Sequence, residues 1–429
     1  MLSLIGLLGG LALLIVLVMR GMSLFVATPL CALIVALTSD IALLPPLASE
    51  DQVDLISQYM EGFTGFIASW FFIFLLGSLF GKLMESSGGA ESVAHWIINR
   101  LGTSQAALAV VLACAVLTYG GVSLFVVAFS VYPMALALFR DADLPRRFIP
   151  ATLAFGSVTF TMTSAGSPEI QNWIPVEHLG TGPLAAWQAS LVVAIFMAAT
   201  GYVWLKWMLK RAVERGEKFE DRVEDPVHDT RELPHPALAT VPLLLVLGIS
   251  FTTHDALGTS ALIVALLAGC LGAAAINFRH LHRPGNALTE GGVGALVAIG
   301  NTSAVVGFGT VAKVSPAFDA AVVWVTGLPG NGLVSAAIAV SAIAAMTGSA
   351  SGGQAIALPI LGPHYIDAGV DPDQLHRVVS ISSGALDSLP HNGYVVTTIR
   401  AICNESHAGA YPAMGALTVL IPLAGLILC

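Results

Sequence analysis

Charge is scarce in this sequence: only 10% of its 429 residues are Asp, Glu, Lys or Arg, against roughly 25% in soluble domains. That scarcity excludes an ordinary water-soluble globule. Basic residues are the rarer kind, 18 against 27 acidic ones, for a formal net charge of -9. Nucleic acid is thereby excluded as a partner, because neutralising phosphates requires lysine and arginine. Cysteine is sparse too. Cys31, Cys114, Cys270, Cys403 and Cys429 lie mostly inside apolar runs and form no CxxC pair, so neither a disulfide framework nor a zinc site is indicated; small apolar packing is their expected role. There is no GxSxG elbow, and Ser388 stands three residues from His391 on a segment not expected to stay helical, which speaks against an intramembrane hydrolase. No enzymatic activity, catalytic residue, metal or cofactor is expected. The first apolar run also lacks a basic leader and a small-residue cleavage site, and Arg20 follows it, so it reads as a span rather than a signal peptide.

What the chain has in abundance is apolar sequence: 56% hydrophobic residues and a mean hydropathy of +0.82. Runs of about 20 apolar residues, the number that crosses a hydrocarbon core of roughly 30 Å, recur throughout. Crossings are expected at 2–19, 22–44, 63–84, 148–178, 184–205, 237–253, 257–278, 290–312, 375–400 and 409–428. Two further apolar regions, 104–139 and 332–368, each consist of two arms around a small-residue centre. Arms of roughly 15 residues reach only about 22 Å as helices. Each region is therefore read as a re-entrant hairpin that enters and leaves on one side. With the amino terminus outside, this topology puts every Lys and Arg except Lys313 and Arg377 on the cytoplasmic side, as the positive-inside rule requires.

The polar stretch 210–236 is the only sizeable linker, and it is expected in the cytoplasm. It divides the chain into a first repeat, 1–209, and a second, 237–429, each with five crossings and one hairpin. Five is odd, so the second repeat is inverted. A weak internal likeness agrees: LFGKLMESSG at 79–88 parallels GTVAKVSPAF at 309–318, and LTYGGVSLF at 117–125 parallels MTGSASGGQ at 346–354. TMTSAGSPEIQN at 161–172 then corresponds to LDSLPHNG at 386–393. The fold class is all-α and polytopic: inverted repeats with helices broken near the midplane, the build of secondary transporters.

Unpaired backbone groups in lipid cost several kcal/mol each, so such breaks survive only inside protein or beside a watery cavity. In the hairpin tips, Gly120, Gly121, Gly348, Gly352 and Gly353 permit close backbone approach, with Ser123, Ser349, Ser351 and Gln354 as hydrogen-bonding groups. In the crossings, Pro168 and Pro390 interrupt the helical ladder. Thr163, Ser164, Ser167, Glu169, Gln171 and Asn172 surround the first, and Asp387, Ser388, His391 and Asn392 the second. A helix restarting after a break offers an anion its N–H groups and positive dipole end. No lysine or arginine falls within the breaks, leaving Lys313 as an outer contributor. A carboxylate and a neutral polar solute both fit these dipoles and hydroxyls.

An acid inside a membrane marks function. Burial favours the protonated carboxyl, so Asp387 reads as a proton carrier or cation ligand, with a fixed structural bond, including a pair with His391, as the plain alternative. His391 is either a proton relay or a neutral ring bonded to backbone. Glu169 is either part of transport or a first-turn carboxylate stabilising a helix dipole.

TYGGVSLFVVAFSVYPMALALFRDADLPRRFIP, TMTSAGSPEIQNWIP, TGSASGGQAIAL and SGALDSLPHNG, taken together and in this order, resemble the gluconate permease family of the wider ion transporter superfamily. The resemblance covers about 60–175 and 290–412. It implies secondary active symport of a small organic anion, usually with protons, across a bacterial inner membrane, and superfamily analogy implies a homodimer. Carried over by motif, the substrate-binding candidates are Gly121, Ser123, Ser167, Gln171, Asn172, Ser349, Gly352, Gly353, Gln354, Ser388 and Asn392, with Asp387, His391 and Glu169 in proton coupling. Family substrates include gluconate, other sugar acids, 3-hydroxybutyrate, glycerate and D-serine; sodium is the rival coupling ion. One departure is AGSPEIQN, where the family often has a PGTPQIQN-like run, so Glu169 replaces a neutral residue and points toward a short hydroxy- or oxo-acid.

Overall fold

The computed structural model describes residues 2–49, 52–102, 105–222, 232–281, 283–326 and 331–429. The middle of the expected linker, 223–231, and residue 104 of the first expected hairpin lie outside them. Helices account for nearly all regular structure, as apolar sequence without internal water demands: a helix satisfies its own backbone.

The first half runs α1 (Leu2–Met19), α2 (Leu24–Thr38), α3 (Leu55–Ser86), α4 (Gly89–Leu101), α5 (Ala106–Tyr119), α6 (Leu124–Asp141), α7 (Ile149–Ala154), α8 (Ile174–Leu179) and α9 (Trp187–Glu214). The second runs α10 (Pro236–Leu257), α11 (Ser260–Ile276), α12 (Pro284–Lys313), α13 (Pro316–Thr326), α14 (Gly332–Thr347), α15 (Ala350–Asp367), α16 (Pro372–Ala385), α17 (Gly393–Val396), α18 (His407–Gly415) and α19 (Ile421–Ile427). One order of elements therefore occurs twice: two helices, a very long helix, a short one, two helices joined by a tight turn, a broken helix, and a last helix. Among the described residues, α3, α6, α9, α10, α12 and the continuous stretch His407–Ile427 are long and apolar enough to cross a membrane. The expected crossings 2–19, 22–44 and 257–278 fall on the shorter apolar helices α1, α2 and α11.

The central seam is α3 against α12, helices of 32 and 30 residues, or roughly 48 and 45 Å. They run antiparallel. Near one end of the seam Ser78 Oγ donates to Gly291 O at 2.8 Å; at the other, Tyr59 OH donates to Ala304 O at 3.2 Å. Small residues allow the approach. A β-carbon on Gly307 lies 2.9 Å from the Tyr59 carbonyl oxygen. Lys82 closes one end, 2.9 Å from Glu85 and 3.0 Å from Glu290.

Four elements differ from expectation. α6, expected as one short arm of the first hairpin, is an 18-residue helix long and apolar enough to cross a membrane. α4 and α13 are short helices that no crossing accounts for. In α4 the buried Ala90, Val93, Ala94, Ile97 and Ile98 recur at helical spacing, while Trp96 is 51% exposed. α9 also continues to Glu214, past the expected end at 205 and into the expected linker. Beyond it the chain folds back on the ends of the broken helices. Arg147 pairs with Glu217 through Nε (2.7 Å) and Nη2 (2.9 Å), Arg146 Nε with Glu405 at 2.9 Å and Arg222 with Glu405 at 3.1 Å.

Candidate functional site

The first break spans the residues between two pieces of one helix. α7 continues as a wider π-helical turn over Phe155–Met162, a distortion that frees backbone groups and recurs at functional sites. Helix resumes only at a 3-10 turn, Ile170–Asn172, and α8. Asn172 holds the intervening loop. Its Nδ2 donates to Ser167 O (3.1 Å) and Pro183 O (3.0 Å); its Oδ1 accepts from His376 Nε2 (3.3 Å) and Arg377 Nη2 (3.1 Å). All four hydrogen-bonding positions of the amide are occupied, so Asn172 acts on the loop itself. Ser167 Oγ accepts from the Glu169 N–H at 3.3 Å. Glu169 is half-buried and precedes the 3-10 turn, one residue short of the first-turn position.

The second break joins α16 to α17, which continues as a π-helical stretch over Thr397–Ile402. Asn392 caps α17, its Oδ1 accepting from the Val395 N–H at 2.9 Å. Its Nδ2 donates to Gly348 O at 2.9 Å, which ties the break to the second hairpin tip. Gly348 has φ +59, a conformation that favours glycine, and a β-carbon on it meets the His391 ring at 2.7 Å. Asp387 is 6% exposed. Its carboxylate accepts from Ser388 Oγ at 2.8 Å and faces the N–H of Ala350, the first residue of α15. An acid of this chain thus sits at the positive end of an 18-residue helix. Ser349 caps that helix, Oγ accepting from the Gly352 N–H at 3.1 Å. The His391 ring faces the Ala345 carbonyl and is not paired with Asp387.

The tips and breaks interlock across the two halves. At the first tip, Tyr119 OH donates to Ala165 O at 2.6 Å, and Gly121, φ +92, lies against Pro168. Ser123 is half-buried at the start of α6 and makes no side-chain cap. From the second hairpin, Gln354 Nε2 reaches Gln171 O (2.9 Å) and Ser383 Oγ (3.1 Å). Ser380 Oγ donates to the same Gln171 carbonyl at 3.3 Å. A β-carbon on Gly353 meets Ala344 Cα at 2.8 Å, so that glycine serves the close packing of α14 on α15. Phe125 after the first tip meets Tyr394 after the second break edge-on, with ring centroids 5.4 Å apart. Gln171 Oε1, Gln354 Oε1 and His391 Nε2 are buried without a partner among the described residues. Two of these are amide oxygens, which accept O–H or N–H donors.

Sequence reasoning missed Arg377 and His376. Both stood at the outer end of a crossing, yet each is 0% exposed and packed on the first break. The signal was available: α16 is capped by Asp371 and begins at Pro372, so both residues fall on its second turn. Lys313, by contrast, is exposed at the end of α12.

Comparison with known proteins supplies the family. The sequence model for GntP family permeases matches residues 2–261. An uncharacterized transporter of Bacillus subtilis, YxjC, is 35% identical over 444 aligned positions, covering 94% of this chain and 92% of the relative; that alignment extends beyond the residues the family model matches. The high-affinity gluconate transporter of Escherichia coli is 31% identical over 111 residues, 25% of this chain and 24% of that one. In three dimensions the fold is similar to the crystal structure of the Alcanivorax borkumensis YdaH transporter, with a TM-score of 0.61 and 14% identity over 100% of this chain and 97% of the other. Membrane-spanning helices, a transporter fold and a matched permease family together make the chain a member of the GntP permease family, an integral membrane transporter and not an enzyme.

Proposed function

We propose that the protein is a proton-coupled symporter of a small organic carboxylate that works by alternating access, with a short hydroxy acid such as 3-hydroxybutyrate or a sugar acid such as gluconate as substrate. One observation carries the proposal: Asp387, buried in a broken membrane helix, rests on Ser388 and on the N-terminus of α15. An acid so placed accepts hydrogen bonds from oriented N–H and O–H dipoles. Movement of the tip away from the break removes the Ala350 N–H, and the carboxylate then takes up a proton. Conformational change and protonation are coupled by that contact.

Several further features support the reading. α3 and α12, the third helices of their halves, run antiparallel, as two inverted repeats of five crossings and one re-entrant hairpin require. In this arrangement the halves 1–209 and 237–429 rock against each other, the N-terminus lies outside, and 210–236 is cytoplasmic in a bacterial inner membrane. The buried, unpartnered amide oxygens of Gln171 and Gln354 suit substrate hydroxyls, with Gly121, Ser123, Ser167, Ser349, Gly352, Gly353, Ser388 and Asn392 forming the surrounding tips and breaks. Asn172 positions the first break, His391 lines the second, and Glu169 flanks the path. The working form is a homodimer.

The test is uptake by proteoliposomes under separately imposed gradients of pH and of sodium, with a panel of hydroxy acids, sugar acids and amino acids. Accumulation of a carboxylate driven by an inward proton gradient is expected. Accumulation driven by sodium alone, or equilibration without accumulation, contradicts the proposal.

A further inference from the structure

One cation is buried beside the first break with no carboxylate in ion-pair contact among the described residues. Arg377 is 0% exposed. Nη1 donates to Thr163 O (2.7 Å), Nη2 to Asn172 Oδ1 (3.1 Å) and Ala185 O (3.0 Å), and Nε to Ala185 O (3.2 Å). Every one of these acceptors is neutral. The groups within Coulombic reach are Cys429, Tyr119 and Asp373. A thiol and a phenol carry no charge at neutral pH, and Asp373 is exposed on the first turn of α16, where water and salt screen it. His376 adds nothing to the balance. The Thr181 hydroxyl lies 2.6 Å from its Nδ1 and Asn172 Oδ1 3.3 Å from its Nε2, which a neutral ring satisfies with one acceptor and one donor.

A buried guanidinium is expensive unless an anion offsets it. Carbonyl and amide oxygens do not require that charge, since a neutral amide donor meets them at lower desolvation cost. The positive charge therefore has a use beyond holding the loop. It also supplies what the helix dipoles lack, because dipoles and hydroxyls accept carboxylates and neutral polar solutes alike.

We propose that Arg377 is the resident counter-charge that makes the first break select anionic substrates over neutral ones. The inference rests on the carboxylate-transport reading above and adds a residue to it. Arg377 is a positioning residue: it acts through space, and through Asn172, whose Oδ1 it grips jointly with His376 while the same amide's Nδ2 fixes Ser167 and Pro183. Both ends of the loop that faces the hairpin tips are thereby set by one charged group.

The test compares each carboxylate with its uncharged amide. Binding of gluconate and gluconamide, and of 3-hydroxybutyrate and 3-hydroxybutyramide, is titrated by thermal stabilisation of the purified full-length protein. The wild type is expected to prefer at least one carboxylate over its amide by tenfold or more. In folded Arg377→Gln that preference falls below twofold, while Arg377→Lys keeps it within threefold of the wild type. A structural clamp behaves differently: Arg377→Gln then weakens both members of a pair equally, and a preserved preference overturns the proposal. Where Arg377→Gln does not fold, Arg377→Lys decides alone, with a retained preference supporting the charge and a lost one in folded protein overturning it. A wild type that binds neither carboxylate overturns the substrate reading, and this inference with it; a wild type that binds one while Arg377→Gln is unaltered overturns this inference alone.

Discussion

Gly348→Ala is the sharpest probe of the contact between the second hairpin tip and the second break. Gly348 has φ +59, and an added β-carbon lies 2.7 Å from Cδ2 and 2.9 Å from Nε2 of His391. Left-handed backbone costs a non-glycine residue about 1–2 kcal/mol, and forcing extra atoms into a packed site costs about 1–3 kcal/mol more. The reference is Gly369, with φ +84 and nothing within 4 Å of its added β-carbon. Gly369→Ala carries the strain without the clash. Reversible unfolding in detergent should thus show Gly348→Ala less stable than Gly369→Ala by about 1–3 kcal/mol, the overpacking share. The clash also moves His391 and the adjacent Asn392, whose amide donates to the Gly348 carbonyl. Uptake should accordingly slow in Gly348→Ala and stay near wild type in Gly369→Ala. Equal stability and equal uptake in the two variants would show that tip and break are not packed as described.

Three other outcomes are expected. Asn172→Ala strips partners from Arg377, His376, Ser167 and Pro183, and should destabilise the folded protein by about 2–4 kcal/mol in the same unfolding measurement, rather than weakening substrate affinity alone. Gly307→Ala should lose about 1–3 kcal/mol through the seam between α3 and α12, whereas Gly248→Ala, in open space within α10, should be neutral or gain about 0.5–1 kcal/mol from better helix propensity. In the segment that follows α9, the paired Arg147 guanidinium holds the Glu217 carboxyl below its usual range. A carboxyl with a depressed folded value contributes stability that is fully present above the unfolded value of about 4.3 and is lost as pH falls through the folded one. Amide protection over 214–222, taken relative to the intrinsic exchange rate at each pH, should therefore fall below about pH 4. Glu217→Gln should abolish that dependence while changing stability by no more than about 1 kcal/mol, since the pair is partly exposed.

Much of the architecture was legible because a membrane reduces the options. An apolar run must be a helix, and a proline with polar neighbours inside it must be a break; 117–125, 161–172, 346–354 and 386–393 all fall where helices end or restart. α4 and α13 were not legible from run length, being short and two-faced, although the spacing of Ala90, Val93, Ala94, Ile97 and Ile98 carried the signal for α4. The chemistry of the first break was only half visible. Asn172 stood out as a polar residue in a broken helix, but its four bonds depend on Pro183, His376 and Arg377, and no local pattern reveals contacts made across some two hundred positions. Arg377 was misleading for a physical reason: a basic residue near the end of a crossing ordinarily reaches for water, whereas here backbone carbonyls turned inward by the break accept it.

The measurement that bears most directly on proton coupling through Asp387 is a paired assay of Asp387→Asn in proteoliposomes: accumulation against a gradient under an imposed pH difference, and exchange of labelled for unlabelled substrate at equal concentrations on both sides. Asparagine keeps the size and the hydrogen bonds but cannot carry the proton. Accumulation should vanish while measurable exchange remains; undiminished accumulation by a well-expressed variant would contradict the role assigned to Asp387.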